Sequence, residues 1–102
     1  MLRRRFADVI ARQLDLFAED HADLIRRCEE AELAYGRADR DEAEELYGDY
    51  VDLVDTGSEA LGELRDNYAS SLDEDDARVY EAAFNRAVLK RFKRFALDIE
   101  DA

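Results

Sequence analysis

Proline and tryptophan are absent from these 102 residues, and there are only four glycines, one cysteine and one histidine. Each scarcity removes a class of structure or chemistry. Without proline, nothing in the chain forces a helix to stop. The lone Cys28 cannot close an internal disulfide and offers no CxxC or Cys/His metal spacing. The lone His21 has Ala18 three residues before it, so the paired Glu-x-x-His of di-metal helical bundles is missing. Hydrolytic zinc sites need more nitrogen or sulfur ligands than this chain holds. No apolar run approaches the ~20 residues of a membrane span. Glycine-rich phosphate loops, a nucleophile elbow and a Ser/His/Asp arrangement are also missing. The expectation is a non-enzymatic chain with no cofactor and no metal.

What is present is charge and helix-forming residues. Ala, Leu, Glu and Arg dominate, and strand-type alternation is lacking, so the composition is that of long helices in one domain over 1–102. Acidic residues number 27 against 15 cations, a formal net charge of -12. Such a surface repels phosphates, which argues against nucleic acid and anionic membrane as partners. Only Lys90 and Lys93 are lysines. This bias suits a high-GC genome or a salt-adapted cytoplasm. Met1-Leu2-Arg3-Arg4-Arg5 resembles the charged start of a signal peptide, but Asp8, Arg12 and Asp15 interrupt any apolar stretch after it. The expected location is cytoplasmic.

Apolar periodicity lays out three helices. The first spans about 2–35, with a heptad seam at Ile10, Leu14, Phe17, His21, Leu24, Cys28, Ala31 and Tyr35 and with Gly36 as its left-handed C-terminal residue. The second follows Asp39, whose side chain with Glu42 suggests a capping box, and its seam runs Ala43, Tyr47, Tyr50, Val54, Gly57, Leu61, Leu64 and Tyr68. Thr56 and Glu59 could cap a fresh helix beside Gly57, which would make four helices, but the seam keeps phase across Gly57. The third follows Ser71, a cap candidate with Glu74, and carries Ala77, Tyr80, Phe84, Ala87/Val88, Phe92, Phe95 and Ile99, with fraying expected near Asp98. Short turns imply an all-α, antiparallel, up-down-up three-helix bundle. In that arrangement Arg3 to Arg5 meets the Asp73 to Asp76 turn, and Lys90 to Arg94 meets Glu29 to Glu32 and Asp41 to Glu45.

A few positions depart from a plain bundle. His21 sits on the seam opposite Val54 to Gly57, where Asp52 or Asp55 could hydrogen-bond it and make a pH-sensitive spot. Cys28 reads as a small buried hydrophobe. Tyr35, Tyr47, Tyr50, Tyr68 and Tyr80 mostly fall where cores prefer leucine. A buried tyrosine needs a partner for its hydroxyl, so these residues mark either an association surface or the wet margin of a thin bundle. The function expected is a protein-protein interaction or self-association module, with another protein or a second copy as partner (a possible homodimer). The alternative is an acidic decoy, antitoxin-like, that covers a basic protein.

Overall fold

The computed structural model describes residues 5–96, and among them every regular element is helical. The helices are α1 (Ala7–Asp20), α2 (Ala22–Arg37), α3 (Arg40–Ala69) and α4 (Glu74–Arg91), followed by a 3-10 turn at Lys93–Phe95. There are therefore four helices where periodicity predicts three, and the extra break is not near Gly57. It falls at His21, in the middle of the expected first helix.

Two features account for that break. Glu19 and Asp20 lie at the C-terminal end of α1 with no cation in its last turn, where the helix dipole opposes negative charge, while Asp23 opens α2 at the favourable end. The partners also change. Residues Ile10, Leu14 and Phe17 of α1 are buried where that helix rests against α4, whereas α2 runs along α3. His21, at φ -116° and ψ 28°, redirects the chain between these two directions. Its N–H still donates to the Phe17 carbonyl and its own carbonyl accepts from Ile25, both at 2.9 Å, so the bend leaves these backbone groups paired.

α3 is unbroken for 30 residues. The Thr56 hydroxyl donates to the Asp52 carbonyl (3.0 Å) from within the helix instead of capping a new one. Asp39 caps the start of α3 as expected, accepting from Glu42 N at 3.2 Å. Two other expected ends differ. α2 continues through Gly36, which has no positive φ, and stops at the extended Ala38. α4 is capped by Asp73, which accepts from Asp76 N at 2.8 Å, while the Ser71 hydroxyl turns back to the Tyr68 carbonyl. Charge matching at this end is as the sequence suggests: Arg5 makes two hydrogen bonds to Asp76, at 2.6 and 2.9 Å. Arg3 and Arg4 lie outside the described residues.

The core sits at this end of the molecule. Phe6, Ile10, Leu14 and Phe17 pack with Leu61, Ala69, Tyr80, Phe84, Val88 and Phe95. The expected third helix stops early, at Arg91, and the chain turns at Phe92 (φ -127°, ψ 62°). This turn carries Phe95 inward over Gly57. A methyl group at Gly57 would lie 2.7 Å from Phe95 Cδ1 and 2.8 Å from its Cζ, so the glycine is required by that ring. Ile99 and Asp98 lie outside the described residues.

Beyond this core, α2 and the first half of α3 project as a two-helix arm. No residue from 29 to 56 is buried. At 1.5 Å per residue, α3 (30 residues) outreaches α4 (18 residues) by roughly 18 Å. The molecule is accordingly long, 51 × 27 × 20 Å.

Gly57 and Gly62, two of the three glycines within α3, should respond oppositely to alanine. Gly62 has open space around it, so Gly62→Ala should stabilise by about 1 kcal/mol through helix propensity. Gly57→Ala should destabilise by about 1–2 kcal/mol, because overpacking against Phe95 outweighs that gain. Removing the ring with Phe95→Ala should turn the Gly57→Ala effect stabilising in a thermal-melt double-mutant cycle. A Gly57→Ala protein as stable as Gly62→Ala would contradict the packing described.

Candidate functional site

The five tyrosines separate along the long axis. Tyr80 is fully buried, with its hydroxyl donating to Gln13 Oε1 at 2.9 Å, itself a buried side chain. It packs edge-on to Phe6 and against Phe84 and Tyr68, and Tyr68 is half-buried in the same aromatic group. Tyr80 thus has no surface to offer a partner. Its location in the core follows from α1 and α4 meeting face to face, which spacing alone does not reveal. Burial pushes its phenol up to about 12, against the smaller opposing effect of the Gln13 hydrogen bond.

The other three tyrosines lie on the arm. Tyr35 and Tyr47 are 41 % and 51 % exposed, with ring centroids 5.2 Å apart across the α2–α3 pair. Tyr50 is half-buried at the root of the arm, where a cavity of about 580 Å³ opens between the arm and the end of α4. Glu29, Glu32 and Ile25 line it from α2, and Phe92, Arg94 and Phe95 from the turn after α4. Arg94 donates to Glu32 Oε1 at 2.5 Å. Burial opposes its charge, but Tyr50 and Glu32 beside it outweigh that and hold the guanidinium protonated. Of the expected meeting of Lys90 to Arg94 with Glu29 to Glu32 and Asp41 to Glu45, Arg94 takes Glu32; Arg91 instead takes Asp15 of α1 at 2.8 Å, and among the described residues no ion pair joins this stretch to Asp41 to Glu45.

His21 lies elsewhere than expected. It stacks on Phe17 at 4.8 Å and borders a groove with Ala60, Glu63, Leu64 and Asn67, farther along α3 than Val54 to Gly57. Among the described residues no hydrogen bond joins its side chain to Asp52 or Asp55. The space beside Gly57 is occupied by Phe95 instead. Cys28 is fully buried, and burial raises its thiol pKa, which keeps it protonated and inert. Among the described residues no group of three or more His, Cys, Asp or Glu side chains converges to hold a metal, and no helix is long and apolar enough to cross a membrane.

Sequence reasoning missed the arm itself. Leu33, on its surface, is 59 % exposed and lies one turn from Glu29 and from Gly36. On α3 the corresponding row is Tyr47, Tyr50, Val51 and Val54. Between positions 29 and 56 there are eleven carboxylates and two arginines, a net of -9 out of the chain's -12. The signal was present as a charge count by segment, but it acquires meaning only once α4 is seen to stop short. Compared with protein-family models, curated proteins and solved structures, the chain matches none.

The Tyr80–Gln13 pair gives a pH signature. The folded phenol titrates near 12 and an unfolded tyrosine near 10, so the folded state holds its proton more tightly. The associated stability is complete below pH 10 and is lost as pH rises from 10 to 12, by up to about 3 kcal/mol. Tyr80→Phe should lower stability at neutral pH by about 1–2 kcal/mol, since Gln13 loses its partner, and should flatten the alkaline decline seen by denaturant titration. An identical decline in both proteins would place the titrating group elsewhere.

Proposed function

We propose that this chain is a non-enzymatic interaction module that binds another protein through its α2–α3 arm. The observation that carries this reading is the mismatch in helix length. A helical hairpin of this kind buries only one seam, and a stable bundle needs a further layer on its open side. Near the base of the molecule α4 supplies that layer, and beyond Arg91 nothing of residues 5–96 does. The exposed residues there are of the type enriched in interfaces, with Tyr35 and Tyr47 already in contact at a tilted angle and therefore losing little freedom on binding.

Several other features agree with an interaction role. The fully buried, protonated Cys28 suits a reducing cytoplasm, where a free thiol has no need of a disulfide. The cleft at the root of the arm is open and is crossed by the Arg94–Glu32 ion pair, so that carboxylate is engaged in holding the turn after α4 to α2. The aromatic core at the other end acts as the foundation that holds the arm in place.

A photo-crosslinking amino acid placed at position 47 tests the reading in the cell of origin. Position 79 on α4, where Val79 is also exposed, serves as the control. Discrete protein adducts are expected from position 47 and not from position 79. Adducts from neither, or the same adducts from both, would remove the arm as a binding surface.

A further inference from the structure

We infer that the arm's natural occupant is a cationic amphipathic helix from a different protein, laid along α2 and α3 in line with α4. This rests on the interaction-module reading and adds the chemistry of the partner.

Three observations lead to it. The first is position. Glu29, Glu32 and Tyr50 face the turn that follows α4, which fixes the side of the arm on which α4 would have continued. On α2, Leu33 and Gly36 extend that side by one helical turn, and on α3 Tyr47 does so. A methyl group added at Gly36 would meet nothing within 4 Å, so the arm's backbone is approachable there.

The second is charge. The arm holds a net of -9, while the other 74 residues together hold -3. The acids at the opposite end are already engaged: Asp73 caps α4, and Asp76 takes Arg5. On the arm, Asp39 caps α3 and Glu32 takes Arg94, which leaves most of its carboxylates facing water. A helix with lysine or arginine flanking its apolar side relieves that repulsion. A second copy would bring another net of -9 to the same place, so like charge disfavours the homodimer.

The third is a template within the molecule. Where the chain itself meets the root of the arm, it does so with an arginine on Glu32 and Tyr50 and with Phe92 and Phe95 beside it. A cation next to apolar side chains is the pattern that the rest of the arm would accept.

The probe is a synthetic helix about 18 residues long, matched to the arm, with leucine at heptad a and d positions and lysine or arginine elsewhere. It is titrated into the isotope-labelled full chain and followed by amide chemical shifts, at low and at physiological ionic strength. Binding should perturb residues 29–56, weaken several-fold with salt, and weaken several-fold again in Tyr47→Ser and in the Glu29→Lys, Glu44→Lys double variant. A scrambled peptide of the same composition should bind several-fold less tightly, and a charge-inverted peptide should not bind. Equal binding by the scramble, or shifts spread over α1 and α4, would overturn the inference by reducing it to general charge attraction. A doubled solution mass in light scattering, lost in Tyr47→Ser, would also overturn it, because the occupant would then be a second copy. That last result would leave the interaction-module reading standing, whereas that reading fails if position 47 crosslinks to nothing or only to what position 79 also captures.

Discussion

The contact of the Phe95 ring with the bare backbone of Gly57 determines where the third limb of the molecule ends. A helix that continued straight past Arg91 would carry Phe95 along the outside of α3. The 3-10 turn instead folds the ring against the bare backbone of Gly57, where it is fully buried and meets Phe17 edge-on at 5.8 Å. Burying an aromatic ring gives more stability than one further turn of exposed helix, so the turn is favoured. The length of the arm, the cleft at its root and the pairing of Arg94 with Glu32 all follow from that stop.

The packed core and the proposed binding surface are thereby placed at opposite ends. The aromatic and aliphatic side chains of the core gather between Phe6 and Phe95, and the buried polar groups there satisfy one another. Gln13 pairs with Tyr80, and Asn85 accepts from Arg65 at 2.9 Å across α3 and α4. Among residues 5–96 the arm has a seam but no covering layer, and it carries most of the net negative charge. Repulsion among its carboxylates lowers its own stability and raises what a cationic partner would gain, so in the proposed role the same residues that weaken the free arm would provide affinity and choice of partner.

Much of the fold is legible in the residues. Seam periodicity marks all the helical territory, Asp39 announces its cap, and the unbroken phase across Gly57 foretells a continuous α3, whereas the cap of α4 falls on Asp73 and not on Ser71. What spacing could not convey depends on partners distant in sequence. Gly57 reads as a weak point in a helix until Phe95, 38 positions later, is seen to need it. The bend at His21 has no proline or glycine to announce it, only acids at an unfavourable helix end. Tyr80 and Tyr47 look alike on a seam, yet one is a core residue bonded to Gln13 and the other lies half in solvent on the arm. Heptad position reports that a side chain faces another helix, not whether that helix is itself covered.

The division into a packed base and an uncovered arm is tested most directly by amide hydrogen exchange along α3, which belongs to both. The account predicts a step within this one helix. Protection factors from Leu61 to Ala69 should approach the global limit, and those from Leu46 to Asp55 should be at least about a hundredfold lower, roughly 3 kcal/mol less stable to local opening. Uniform protection from one end of α3 to the other would contradict it, because the arm would then be as well supported as the core.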